Sequence, residues 1–324
     1  MKYATIGTSM ITNEFINAAK EQGKLTLQAV YSRTEEQAKD FAKMHGAPQF
    51  YTELEELAKS DIECVYIASP NSMHFEQVTL FLKHKKHVIC EKPIFSNRNE
   101  LDKAFQTADE NGVFLFEAMR NLHMPGHLAL KEKLSGAGRI RSAVLDYSSY
   151  SSRYDKVKNG EVPNIFSLKF SGGALVDLGV YPLAIALNIF GKPEDITYSP
   201  TIIETGVDGS GTLILRYPDF ICTILCSKIS TSYNHSEIQG EEGTFTIDDI
   251  GTLANVRFIQ SAGETIIYEE QSQHPMSYEI ESFVNIMESN DQEKYNQFRK
   301  ISTDIIEITE KARKTNGIIF GIER

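Results

Sequence analysis

Apolar positions fall into two rhythms along the chain. In the first part, short apolar runs alternate with stretches in which apolar residues recur every three or four positions. The runs at 3–7, 25–31, 62–68, 88–90 and 113–117 read as strands. Their near-continuous apolar character is clearest in Ile62-Glu63-Cys64-Val65-Tyr66-Ile67-Ala68 and belongs to parallel strands covered on both faces. Helices lie between them. One carries Phe15, Ile16, Ala18 and Ala19 and closes at Gly23; one at 34–45 turns Ala38, Phe41 and Ala42 inward and ends at Gly46; others span 53–59, 73–86 and about 98–111. Strand and helix repeat with short connections, which predicts a doubly wound parallel sheet.

After about residue 121 the rhythm changes. A helix near 125–134 precedes alternating runs at 139–152, 195–204, 210–217, 220–229, 243–248, 254–260 and 264–270. These read as antiparallel strands joined by turns such as Tyr217-Pro218-Asp219 and Gly240-Glu241-Glu242-Gly243. Helices at about 277–288 and 292–315 follow. One further segment, 171–182, interrupts the strands. As a helix it puts Asp177 and Tyr181 on one face. Gly179 between them would admit a close neighbour, a backbone or a flat ligand. Pro182 marks a kink or the start of the regular helix. The expected fold is α/β: a doubly wound parallel domain over 1–120, then an α+β domain over 121–324 with a large, mostly antiparallel sheet.

Composition narrows the partners. The 324 residues suit two domains, and 41% hydrophobic with 24% charged content is globular. A net charge of −11 argues against non-specific nucleic-acid binding, which needs clustered cations. No apolar run is seen to approach the ~20 residues of a membrane span. The segment Met1 to Gly7 enters a strand without the apolar core and cleavage site of a signal peptide, so a cytoplasmic protein with no membrane partner is expected. Cys64, Cys90, Cys222 and Cys226 lie in strand-like runs without metal-ligand spacing and read as reduced core residues. His123 and His127 are four apart with Pro125-Gly126 between them, so no metal site is expected there.

The candidate chemistry gathers at strand ends, where open α/β sheets bind ligands. The run Val88-Ile89-Cys90-Glu91-Lys92-Pro93 delivers a carboxylate and an ammonium to such an end, because Pro93 cannot continue a central strand. A surface ion pair would read the same way. At the first strand end stands Gly7, followed by Ser9, Met10, Ile11 and Thr12 at a helix start. This is the context of a dinucleotide fingerprint whose second and third glycines are replaced by Ser9 and Thr12; a plain strand–turn–helix unit fits equally. A serine there still lets its backbone N–H and hydroxyl approach a phosphate. Ser32 and Arg33 end the second strand, where an NAD enzyme usually has an acid; a hydroxyl and a guanidinium suit a 2′-phosphate, or else a helix cap and a surface Arg. Ser69-Pro70-Asn71 ends the next strand, and His74 begins the helix after it, as a helix-terminal residue or a nicotinamide contact.

Taken in order, Gly7, Ser32-Arg33, Ser69-Pro70-Asn71 with His74, Glu91-Lys92-Pro93, and Gly172-Gly173-Ala174-Leu175 with Asp177, Gly179 and Tyr181 resemble the Gfo/Idh/MocA oxidoreductases. The resemblance covers residues 3 to about 190 and implies an N-terminal Rossmann domain and NAD(P)-dependent chemistry on sugars, inositols and related alcohols. It implies cofactor contacts at Gly7, Ser9, Met10, Ile11, Ser32, Arg33, Ser69, Asn71, His74, Glu91 and Lys92. Many members carry a histidine where Tyr181 stands. The tyrosine is similar to the dihydrodiol dehydrogenase and glucose–fructose oxidoreductase branch, which pairs Lys and Tyr with NADP. NADP is therefore the expected cofactor, with NAD the alternative.

Oxidising an alcohol requires a hydride acceptor, supplied by the cofactor, and a base for the hydroxyl proton. A phenol titrating near ~10 serves only if a neighbouring ammonium favours its phenolate. Lys92 and Tyr181 are the expected pair, with Asp177 binding a second substrate hydroxyl or holding Lys92. Glu117 and Arg120 read as structural. The competing functions are a catalytically silent dinucleotide-binding sensor or scaffold and a sugar-binding module without cofactor. Lys92, Asp177 and Tyr181 together speak against the first and the N-terminal rhythm against the second. Leu213, Leu215 and Tyr217 alternate with Thr212, Ile214 and Arg216, and the run at 220–226 is apolar on both faces. That predicts a sheet whose outer face is covered by a second subunit, in a homodimer or homotetramer.

Overall fold

The computed structural model describes residues 1–270 and 274–324. In chain order the elements are β1 (Lys2–Ile6), α1 (Met10–Gln22), β2 (Thr26–Tyr31), α2 (Glu35–His45), β3 (Gln49–Tyr51), α3 (Leu54–Lys59), β4 (Cys64–Ile67), α4 (His74–Lys83), β5 (His87–Glu91), α5 (Arg98–Asn111) and β6 (Leu115–Ala118). They continue with α6 (Pro125–Lys133), β7 (Ile140–Ser148), α7 (Tyr154–Lys158), α8 (Val180–Phe190), β8 (Asp195–Ile202), β9 (Asp208–Arg216), β10 (Ile221–Ser227), β11 (Ser236–Gly240), β12 (Thr244–Ile247), β13 (Asn255–Gln260), β14 (Gly263–Glu269), α9 (Pro275–Ser289) and α10 (Gln292–Thr315).

The first six strands form one parallel sheet in the order β3-β2-β1-β4-β5-β6. The strand order reverses between β1 and β4, the point at which such sheets bind ligands. The helices end where the sequence allows a left-handed residue: Gly23 after α1, Gly46 after α2 and Gly112 after α5. The remaining strands form an eight-stranded sheet in the order β14-β13-β12-β11-β7-β10-β9-β8, antiparallel except where β7 pairs β10. As expected, Leu213, Leu215 and Tyr217 are buried while Ile214 is exposed on the other face. Strands β3 and β11 escape the hydrophobic pattern because Gln49-Phe50-Tyr51 and Ser236-Glu237-Ile238-Gln239-Gly240 are too short or too polar. Ladders place β11, between β12 and β7, with Ile238 buried.

The chain divides into two compact units, Met1–Ala118 with His274–Ser302, and Met119–Gln273 with Thr303–Arg324. The division is discontinuous, whereas the sequence pattern placed everything after residue 120 in one domain. Amphipathicity shows that α9 has an apolar face but not which surface it covers. In the first unit α9 packs on α1: His274 pairs with Glu14 at 2.7 Å, and the Ser277 hydroxyl donates to the Ala18 carbonyl. Phe283 of α9 stacks on Phe116 of β6 at 4.5 Å.

The helical run Leu168–Phe190 is long and apolar enough to cross a membrane by length and composition, with mean hydropathy 1.7. This corrects the expectation that no run approaches that length. Its most apolar stretch is 72% buried inside the protein, and every residue of α8 from Val180 to Leu187 is buried. A helix enclosed on all sides is apolar all round for that reason alone. The four cysteines are free thiols buried in strands.

Candidate active site

The first unit carries its candidate residues at the carboxyl ends of parallel strands. Gly7 follows β1 with φ of +106°, and a Cβ there would sit 2.8 Å from the Ala68 carbonyl oxygen. The ends of β1 and β4 therefore approach as only glycine permits. Ser9 precedes α1 as its N-cap, yet its side chain makes no cap hydrogen bond; its hydroxyl lies 3.3 Å from that of Thr12. Ser9 and Met10 are exposed, Ile11 is half-buried, and the first turn of α1 has no acidic residue. Unused N–H groups at a helix start, beside a glycine turn, suit a diphosphate. Ser32 is buried and donates to Gln37, while Arg33 is exposed at the end of β2. These residues fit a dinucleotide with a 2′-phosphate.

At the end of β4 the Ser69 hydroxyl donates to Gln77 at 2.7 Å, and Asn71 opens a turn of 3-10 helix. His74 is fully buried. Its Nε2 lies 2.9 Å from the Ser69 carbonyl and its Nδ1 lies 3.1 Å from those of Pro93 and Ile94. Burial lowers its pKa, with the three carbonyls pulling the other way. His74 thus ties the loop after β4 to the loop after β5, and its ring nitrogens are engaged with backbone. Glu91, the last residue of β5, accepts from the Tyr66 hydroxyl at 2.6 Å. Tyr66 is itself fixed by Phe15 of α1, stacked on its ring at 3.7 Å. One strand over, Glu117 accepts from the Ile94 amide, and burial pushes its carboxyl above the ordinary range. Lys92 follows on the half-buried turn, joined to Pro93 by a cis peptide bond.

The second unit carries its candidates on a helix start. Leu175–Gly179 forms a turn of π-helix that runs into α8 at Val180. Pro182 supplies the reason. Its ring excludes the carbonyl four residues back and it has no N–H to donate, so the preceding turn widens. The neighbour admitted by Gly179 is the side chain of Cys226 on β10, whose Sγ would lie 3.2 Å from a Cβ there. Asp177, on the π-turn, forms an ion pair with Lys228, which the sequence reading did not single out. Tyr181 is buried in the first turn of α8. Its ring meets Tyr147 edge-on at 5.3 Å, the Arg120 guanidinium lies 5.6 Å from its centroid, and Asn121 donates to its carbonyl at 2.9 Å.

Asp208, the first residue of β9, anchors this arrangement. It is buried, and its Oδ2 accepts from the Leu175 amide at 2.7 Å and the Tyr198 hydroxyl at 2.6 Å. Gly173, at φ of +140°, leaves no room for a Cβ against Asp208 Oδ1. Burial pushes Asp208 up to about 6, against the hydrogen bonds that favour its ionised form. Asp208 sits in a Val-Asp-Gly sequence that reads as a turn, and Lys228 follows an apolar strand much as Lys92 does. That parallel is the one signal the sequence offers for Lys228, and it offers none for Asp208. His127 is buried against Asn188 at 2.8 Å, its pKa lowered to about 4 by burial. Among the described residues no group of three or more His, Cys, Asp or Glu could hold a metal.

A six-stranded parallel sheet in this order, with a glycine turn on its first strand and a separate sheet-bearing unit, defines a dinucleotide-binding oxidoreductase. Comparison with known proteins agrees. The family described as "Oxidoreductase family, NAD-binding Rossmann fold" matches residues 1–119, and "GFO/IDH/MocA C-terminal domain" matches residues 135–246. The chain belongs to the Gfo/Idh/MocA oxidoreductase family. It is 41% identical over 323 residues to scyllo-inositol 2-dehydrogenase (NADP(+)) IolU of Bacillus subtilis, covering 99% of this chain and 98% of that one. It is 31% identical over 252 residues to trans-1,2-dihydrobenzene-1,2-diol dehydrogenase of Xenopus tropicalis, covering 76% and 74%. The fold is shared with KijD10, a 3-ketoreductase from Actinomadura kijaniata solved with NADP and TDP-benzene, at a TM-score of 0.83 and 21% identity over 97% of each chain.

Proposed function

We propose that this protein is an NADP-dependent dehydrogenase of a cyclic polyol of the inositol type, interconverting a ring hydroxyl and a ketone. The observation that carries the reading is the 41% identity to scyllo-inositol 2-dehydrogenase (NADP(+)) over essentially the full length of both chains. The exposed Arg33 after β2 and the absence of an acid at that strand end support NADP.

The nicotinamide, when bound, supplies the hydride acceptor or donor. The protein's own residues handle binding and the proton. Gly7, Ser9, Met10 and Ile11 meet the diphosphate through backbone N–H groups. Ser32 and Arg33 meet the ribose phosphate. Ser69, Asn71, His74 and Glu91 shape the strand-end turns, His74 and Glu91 from buried positions. Tyr181 exchanges the proton of the reacting hydroxyl, the Lys92 ammonium favours the phenolate and orients the substrate oxygen, and Asp177 receives a second ring hydroxyl. The protein works in the cytoplasm. Its eight-stranded sheet, with Ile214 and Ile221 exposed on the outer face, is covered by a second copy of the chain; a monomer in sedimentation at micromolar concentration would overturn that part.

Purified protein mixed with NADP and scyllo-inositol is expected to form NADPH, and to do so poorly with NAD. NADPH binding without turnover on any of a panel of inositols, pentoses, hexoses and dihydrodiols would overturn the proposal in favour of a silent sensor.

A further inference from the structure

Lys228 is the residue in the second unit for which the reaction as proposed has no use. Its side chain is 3% exposed, while that of Asp177, with which it pairs, is 25% exposed. The ammonium also lies 5.3 Å from the centre of the Phe166 ring. Phe166 belongs to an apolar cluster with Val157, Ile203 and Val207. The backbone beneath Lys228 is held from two sides: its N–H donates to Gly209 at 2.8 Å, and its carbonyl accepts from Ser151 at 2.9 Å. A buried cation on a fixed base, with an aromatic face on one side, meets a carboxylate that still reaches solvent.

An ammonium in apolar surroundings needs a carboxylate partner, and its field in turn keeps that carboxylate ionised. It also selects one direction for a short side chain on the π-turn. A carboxylate has about four acceptor positions, and the Asp177 side chain is 25% exposed, so its solvent side is within reach of a hydroxyl donor. We infer that Lys228 is a positioning residue for polyol recognition, orienting Asp177 so that its carboxylate accepts from a ring hydroxyl of the substrate. This rests on the reading of Asp177 as a substrate contact. It predicts that Lys228 affects the polyol and leaves the dinucleotide alone.

The test compares Lys228→Met, Lys228→Arg, Asp177→Asn and the Asp177→Asn/Lys228→Met double variant, with scyllo-inositol as substrate and NADPH binding measured by fluorescence. Lys228→Met is expected to lower kcat/KM at least tenfold, mainly through KM, with the Kd for NADPH within twofold of the parent. Lys228→Arg, which keeps the charge, is expected to recover most of that loss. In the Asp177→Asn background Lys228→Met should change kcat/KM by less than twofold, because its partner is already gone. Equal losses in both backgrounds, or an unchanged KM in Lys228→Met, would overturn the inference while leaving Asp177 in place. A normal kcat/KM in Asp177→Asn would instead remove Asp177 as a substrate contact, and the inference with it. Should Lys228→Met fail to fold, the double variant has lost both charges and decides alone: kcat/KM equal to that of Asp177→Asn supports the inference, and a further fall beyond twofold overturns it.

Discussion

Lys92 stands one residue past a parallel strand, between Glu91 and Pro93, with His74 reaching from the start of α4 to the Pro93 carbonyl. Asp177 stands on a π-turn, and its surroundings come from far along the chain. Lys228 pairs with it, and Asp208 anchors the turn that carries it. In the first unit a candidate residue inherits its position from a strand end, which the sheet defines. In the second, a helix start is widened at Pro182 and then held by two buried charged side chains, one at the start of β9 and one just past the end of β10. The first arrangement is expected to survive change near the motif as long as the sheet does, and the second to be disturbed when a distant anchor is removed.

The largest test of this difference is Tyr181→Phe. Only a hydroxyl is lost, so the fold and NADPH binding are expected to persist while turnover falls by roughly 10²–10⁴. Near-normal turnover with saturating substrate would remove Tyr181 from the proton chemistry and leave it to Lys92 or Asp177. Next comes Gly173→Ala. Its Cβ overlaps Asp208 and its φ favours glycine, so a loss of about 2–4 kcal/mol is expected in urea unfolding, with turnover reduced and the Kd for NADPH little changed. An equal loss of cofactor affinity would erase the contrast between the units.

Arg33→Ala probes the local arrangement. Removing a charge-assisted contact should weaken NADPH binding by about 1.5–3 kcal/mol, tenfold or more in Kd, with NADH nearly unaffected. Equal weakening of both cofactors would remove Arg33 from the phosphate. The smallest effect is expected for Asp208→Asn as a function of pH. The folded-state pKa of Asp208 lies above its unfolded value, so the native protein gains stability from its protonation as pH falls through about 6. The amide cannot take up that proton. The stability gap between the parent and Asp208→Asn should therefore widen by about 1–2 kcal/mol between pH 8 and pH 5. A gap constant with pH would mean that Asp208 does not titrate there.

The same contrast explains what could be read from the sequence. Strands β1, β4, β5 and β6 stand out as apolar runs because both their faces are buried, and β2 does so through Ala29 and Val30. The residues at the strand ends follow directly from where those runs stop. The motif at 172–181 is equally visible as a string of residues, and Pro182 signals irregularity. Nothing in the string reveals that the turn widens to a π-helix or that Cys226 fills the space Gly179 leaves. Lys228 and Asp208 lie 51 and 31 residues beyond Asp177, one just past the end of β10 and the other at the start of β9, where strand alternation does not tell what a side chain meets. Strand β11 is invisible in the sequence for a related reason: one buried apolar side chain, Ile238, gives no period.

The discontinuity of the first unit carries a consequence for synthesis. The contact between Ser277 and Ala18 joins residues 259 apart. On a ribosome adding roughly 5–20 residues per second, α1 is finished some ten to fifty seconds before α9 exists. During that interval the nascent chain presents the surface of α1 that α9 will cover, along with the Phe116 ring on which Phe283 will stack. Until residues 275–289 arrive, nothing from α9 covers that apolar surface, and the first unit is completed only by one of the last segments to be made.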